Sequence, residues 1–108
     1  HLDHEDTVTQ RAMQVRRILE LTNSRSDDHM ILTGDLNDVP ASEPIRSLLL
    51  KWTDSGPADA FSFPSDKPIK KIDYVLHRGK ATRKVVESRV IDDPMTSDHR
   101  AVLTVFEF

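Results

Sequence analysis

An α/β domain with its helices on one face of a mixed, mostly antiparallel sheet is the fold class that three observations predict. Apolar residues recur at helical spacing early in the chain, one short apolar strand stands between two helical segments, and three strands follow in quick succession at the end. The 108 residues, 37% of them hydrophobic, suffice for one modest core and leave no room for a second.

The first element is a helix over 8–21. Val8, Ala12, Val15, Ile18 and Leu19 form its apolar stripe, and Arg11, Arg16, Arg17 and Glu20 fall to the opposite face. Thr7 with Gln10 has the form of a capping box, Glu5 and Asp6 suit the positive helix end, and Asn23-Ser24 is a stop. The run His29 to Thr33 has the length of a buried strand that ends at Gly34 and delivers Asp35, Leu36, Asn37 and Asp38 into a loop. Ser42 as N-cap, the early Pro44 and the spacing of Ile45, Leu48 and Leu49 predict a short second helix.

Residues 54–68, with Ser55-Gly56-Pro57 and Pro64-Ser65-Asp66-Lys67-Pro68, are dense in turn formers and predict a long surface loop. Strands are expected at 72–77, 84–91 and 100–108; the last is apolar on both faces, which predicts a central position. The two helices can cover only one face of such a sheet, so the other face needs a partner.

Composition removes several function classes. The chain has no cysteine, which excludes a disulfide scaffold, a thiolate nucleophile and a sulfur-ligated zinc site. No apolar run approaches the ~20 residues of a membrane span. The net charge of -3 is uneven: residues 1–66 hold 12 acidic and 6 basic residues, and 67–108 hold 6 and 9. That division fits a site where carboxylates gather a cation and lysines meet an anion, and equally two solvated faces. No signal sequence is visible; a secreted or periplasmic location fits, and location stays open.

Three polar clusters fall at strand ends, where ligands bind in α/β sheets: Gly34-Asp35-Leu36-Asn37-Asp38, Ile72-Asp73-Tyr74 and Ser97-Asp98-His99. Singly, each is also what closes an ordinary turn or caps a loop. Asp73 is the exception, a carboxylate inside an apolar strand that needs a partner. His99 is a chemically sensible one, since a carboxylate on one ring nitrogen fixes the tautomer and leaves the other nitrogen for substrate.

Together with His1-Leu2-Asp3, these clusters resemble in order and spacing the C-terminal motifs of the endonuclease/exonuclease/phosphatase superfamily. The loop Phe63-Pro64-Ser65-Asp66-Lys67-Pro68 before Ile72-Asp73-Tyr74 is similar to that of bacterial-type members. The resemblance spans essentially the whole chain and implies that residues 1–108 are the C-terminal half of a four-layer α/β/β/α sandwich.

By the same resemblance, Asp35 orients or deprotonates the attacking water, and Asn37 holds that water or a phosphate oxygen. His99, supported by Asp73, and His1 donate to the phosphate. Asp98, with Asp35 and Asn37, binds the divalent metal. These all-oxygen donors suit Mg²⁺ or Mn²⁺. An Asn and the main metal-binding Glu belong to the N-terminal half in this family; none of Glu5, Glu20 and Glu43 sits in a matching motif.

The implied substrate is a phosphoester: a small phosphodiester, a phospholipid head group or a nucleic acid, with a small ester favoured by the modest charge. Lys67, Lys70 and Lys71 are expected to border it. The chain alone is expected to turn over negligibly and to self-associate through its uncovered sheet face, which light scattering would read.

Other readings are available. His1-Leu2-Asp3-His4 invites comparison with metallo-β-lactamase-like hydrolases, although it lacks their upstream histidine. Ser97, His99 and Asp73 could be cast as a nucleophile triad, but there is no Gly-x-Ser-x-Gly elbow. A non-catalytic binding or interaction module on the same fold is the third.

Overall fold

The computed structural model describes residues 1–5, 8–25, 29–79 and 84–108. The capping box drawn from Thr7 and the first-turn role of Asp6 lie outside them. Two helices and five strands follow in the order α1 Val8–Asn23, β1 Met30–Asp35, α2 Glu43–Leu49, β2 Thr53–Asp54, β3 Asp73–Arg78, β4 Lys84–Val90 and β5 Val102–Glu107.

All described strand pairs are antiparallel and form two sheets, β1-β3-β2 and β4-β5. Both helices pack on one face of the first sheet. The core there joins Val15 of α1, Ile45 and Leu48 of α2, and Tyr74 and Leu76 of β3, with Leu2, Leu36 and Trp52 filling in around them. The thinnest dimension of the molecule is 20 Å, about one helix layer on one sheet layer at ~10 Å each.

Three local expectations are corrected. Strand β1 does not stop at Gly34; it runs on so that Asp35 pairs with Asp73. Gly34 makes this possible, because its φ of +150° lies where a side chain is strained. The central strand is β3, flanked by β1 and β2, whereas β5 pairs with β4 alone among the described strands. The two-sided apolarity of β5 has another origin: Phe106 meets the His77 ring of β3 edge-on at 5.6 Å, and Thr104 Oγ1 donates to the Ser55 carbonyl.

The third correction concerns α1. Arg11, assigned from the sequence to the solvent face, is buried beside Val15, while Val8 of the apolar stripe is 47% exposed. Ser42 does occupy the N-cap position of α2, but its hydroxyl makes no capping hydrogen bond and is buried without a partner among the described residues.

The face of the first sheet away from the helices carries Ile31 and Thr33 of β1 opposite His77 and Val75 of β3. Ile31 and Thr33 are exposed, whereas Val75 is buried. No helix of the described residues is long and apolar enough to cross a membrane.

Candidate active site

Two of the polar clusters meet at one end of the first sheet, where β1 ends and β3 begins, whereas Ser97-Asp98-His99, expected at a strand end, lies in the loop before β5. Asp35 closes β1 directly opposite Asp73, which opens β3, so the pairing register sets two carboxylates side by side. Beyond Asp35 the chain turns through Asn37, whose φ of +50° is the left-handed conformation that asparagine tolerates. The Asn37 N–H donates to Asp35 Oδ1 at 2.8 Å, which fixes the carboxylate and leaves Oδ2 toward the His1 and His99 rings.

The segment His1–Glu5 lies beside this turn. Leu2 is buried in the core and its N–H donates to the Asp35 carbonyl at 3.0 Å, while Asn37 Nδ2 donates to the Leu2 carbonyl at 2.7 Å. The His1 ring thereby stands with Nε2 3.4 Å from Asp35 Oδ2 and 3.3 Å from Asn37 Nδ2.

His99 arrives from the loop between β4 and β5. Its Nδ1 lies 2.8 Å from Asp73 Oδ2, and its Nε2 lies 3.7 Å from Asp35 Oδ2. With Asp73 ionised, Nδ1 is the donor, so Nε2 is the atom presented toward Asp35. Ligating atoms of Asp35, Asp73 and His99 all fall within 4.8 Å of one another.

Asp98 stands outside that triplet and is exposed, with Ser97 Oγ donating to its Oδ1 at 3.3 Å. Ser97 also accepts the His99 backbone N–H. Its hydroxyl is thus engaged with Asp98 and the backbone, which gives a serine nucleophile at this position no support.

Two partners of the site were not foreseen. Ser62, fully buried, donates its hydroxyl to Asp73 Oδ2 at 2.6 Å, forming a chain Ser62–Asp73–His99. Phe63 lies tilted against the His99 ring at 4.8 Å. The expected surface loop is therefore a wall of the site, with Ser55, Ala60, Ser62 and Ser65 all buried.

That wall grips the histidine loop through its backbone. The Ser62 carbonyl accepts Arg100 N–H at 2.7 Å, Ser65 N–H donates to the Asp98 carbonyl at 2.8 Å, and Arg100 Nε donates to the Ser65 carbonyl at 2.7 Å. A serine two residues before a proline carries no sequence signal that it will meet a carboxylate eleven residues on.

Of the three lysines expected beside the substrate, Lys71 is not available. It is buried, with Nζ 2.6 Å from Asp54 Oδ2 and from the Pro57 carbonyl. Lys67 and Lys70 are exposed, and Lys70 lines a cavity of about 320 Å³ together with His4, Asn37, Val39, Phe63 and His99. A second cavity of about 360 Å³ is lined by His99 with Thr33, Asp35, Asp73, Val75 and Val102. The imidazole is common to both.

Burial works against a charged His99 ring, but the hydrogen bond to Asp73 and the charges of Asp73, Asp35 and Asp98 outweigh it and raise its pKa above the ordinary value. The fold therefore gains stability from protonated His99 that is fully present below the unfolded-state pKa of about 6.5 and is lost as pH rises through the folded value. In chelator, the thermal midpoint of the chain should exceed that of His99→Gln at about pH 6. The gap should close as pH rises, and a gap independent of pH would contradict this. Burial also raises the pKa of Tyr74, helped by Asp54, Asp38 and Asp73, so this phenol stays neutral as a donor to the Asp38 carbonyl.

The model of the Endonuclease/Exonuclease/phosphatase family matches residues 1–99. In three dimensions the chain is similar to a functionally unknown conserved protein from Enterococcus faecalis, with a TM-score of 0.78, 25% identity and coverage of 99% of this chain and 47% of that one. An endonuclease/exonuclease/phosphatase from Bacteroides vulgatus gives 0.79, 18%, 99% and 47%. A mannosyl-6-phosphatase of Bacteroides thetaiotaomicron gives 0.74, 20%, 100% and 49%. The last two likenesses speak to fold alone. The chain spans about half the length of each of these proteins. No curated protein matches it in sequence.

Proposed function

The chain belongs to the endonuclease/exonuclease/phosphatase family, and on that premise we propose that it is the C-terminal half of a phosphoesterase that hydrolyses its substrate by in-line attack of water. The observation that carries this reading is the meeting of Asp35, Asp73 and His99 from three separate segments at one end of the first sheet. Family members are phosphoesterases, and these residues supply what such a displacement needs.

Asp35 Oδ2, the oxygen not taken by the Asn37 N–H, accepts a proton from the attacking water as the new P–O bond forms and the P–O bond to the alcohol breaks, the alkoxide taking its proton from solvent. His99 donates from Nε2 to a phosphate oxygen as negative charge develops there, while Asp73 holds Nδ1 and stabilises the charged ring. His1 and Asn37 line the same opening and orient the phosphate.

The family is typically metal-dependent, and the donors present fit a hard divalent cation: Asp35 and Asp98 offer carboxylate oxygens and Asn37 an amide oxygen. Asp73 fits less well, because Oδ2 is already committed to Ser62 and His99. A bound Mg²⁺ or Mn²⁺ would neutralise phosphate charge. Asp98, Asp35 and Asn37 are the residues here that would hold it, with the rest of the ligand set drawn from the remaining half of the domain.

The cavity bordered by Val39, Phe63 and Lys70 receives the organic part of the ester. Its size is near the lower end for ligand sites, which supports a compact leaving group, such as a sugar phosphate or small phosphodiester, over a polymer.

The test is a panel of phosphomonoesters and phosphodiesters offered to the longer protein with Mg²⁺, with Mn²⁺ and with chelator. Hydrolysis of at least one small ester that chelator abolishes is the expected result. Inertness across the panel in both metals would overturn the reading in favour of a binding module.

A further inference from the structure

Arg11 is a charged residue in the wrong place for a surface helix. It occupies the buried stripe of α1, 8% exposed, one turn before Val15. Burying a guanidinium carries a desolvation cost that packing alone does not require, since an apolar residue of similar volume stabilises such a position as well or better. Among the described residues its hydrogen bonds run to the two segments that carry His1 and Asn37. Nε donates to Asp38 Oδ2 at 3.0 Å, and Nη1 donates to the carbonyls of Glu5 at 2.7 Å and Asp3 at 3.3 Å.

Both segments are anchored independently of Arg11. Asp38 is fixed from β3 by the Tyr74 hydroxyl, which donates to its carbonyl at 2.9 Å. The Asp3 N–H donates to Gln14 Oε1 of the same helix at 2.9 Å. At the other end of the segment, Leu2 is bonded to Asp35 and Asn37. Arg11 therefore closes a frame whose open corner holds the His1 ring and the Asn37 amide.

We infer that Arg11 is a positioning residue, whose guanidinium clamps the His1–Glu5 segment to the Asn37–Asp38 turn and so fixes where His1 and Asn37 meet the phosphate. The inference rests on the proposed phosphoesterase reading. Displacing such groups by as little as ~1 Å costs on the order of 10²-fold in rate, and because Arg11→Met also strands Asp38 and so lowers stability, the readout is the kcat-against-KM split of the folded protein rather than its stability.

Arg11 also borders the cavity of Val39, Phe63 and Lys70, so in the longer protein Arg11→Met should lower kcat about 10- to 100-fold with KM changed less than about threefold, and a loss carried by KM instead would mean direct contact with the ester and overturn the inference. In a background carrying both His1→Ala and Asn37→Ala the same substitution should add less than about threefold, because its effect passes through groups already removed. Asp38→Asn, which weakens the Nε bond and leaves the carbonyl bonds, should lower kcat with the same non-additivity if Arg11→Met does not fold. A kcat for both variants within about threefold of wild type, or a full multiplicative loss in the background lacking both His1 and Asn37 side chains, overturns the inference.

Amide hydrogen exchange reads the clamp without turnover. The Leu2 N–H should exchange at least about tenfold faster in Arg11→Met, or in Asp38→Asn in its place, while the Leu76 N–H is unchanged. An unaltered Leu2 rate overturns the clamp whatever the activity does. Faster Leu2 exchange in a protein inert toward every phosphoester overturns the functional reading and leaves the clamp standing.

Discussion

Replacing Asp35 by Asn in the longer protein is expected to lower kcat for phosphoester hydrolysis by about 10² to 10⁴-fold, the range for losing a general base, while leaving the fold at least as stable at a pH where His99 is neutral and no longer draws on the Asp35 charge. Both halves of that expectation come from the strand register. Asp35 and Asp73 are direct cross-strand partners on one face of the sheet, and like charges so placed destabilise a pair. Asn keeps the oxygen that accepts the Asn37 N–H, so the turn is preserved. It also removes one of the two negative charges and cannot take up a proton. A thermal midpoint equal to or above wild type, with activity lost, identifies a carboxylate kept for chemistry at the expense of stability. Undiminished turnover in Asp35→Asn would remove Asp35 from the base role.

The site was legible in the sequence to the extent that it hangs on strand ends. An apolar run ending in Gly34-Asp35 and a carboxylate inside Ile72–Leu76 are local patterns, and backbone pairing brings them together as Asp35 opposite Asp73. His99 was readable as the partner of Asp73 because a carboxylate in an apolar strand needs a donor. The two-residue strand β2 was not readable, since Thr53 and Asp54 carry no period and owe their conformation to pairing with His77 and Leu76.

Arg11 was misassigned for a different reason. Its spacing from Val15 already placed it on the apolar stripe, and its charge argued for solvent; the acceptors that reverse that preference, Asp38 and the Asp3 and Glu5 carbonyls, lie on other segments. Ser62 and the burial of Lys71 are likewise tertiary facts. A lysine beside a turn-rich loop reads as solvated until Asp54 and the Pro57 carbonyl are seen around it.

The second large effect is expected at His99, and its form distinguishes a relay from independent contacts. His99→Ala in the longer protein should lower kcat by about 10² to 10⁴-fold, and Asp73→Ala by about 10- to 100-fold, the usual loss for a group that orients another. If Asp73 acts through the imidazole that it bonds at 2.8 Å, the double variant should be no slower than His99→Ala alone. Multiplicative losses would mean that Asp73 has a separate task, such as holding a cation. Ser62 extends the same logic one bond outward. Ser62→Ala removes the donor at 2.6 Å from Asp73 Oδ2 and should slow turnover in the wild-type background but not in His99→Ala, whereas Ser62→Thr, which keeps the hydroxyl, should restore most of the rate. A Ser62→Ala loss that persists in His99→Ala would assign Ser62 to the packing of the loop wall instead.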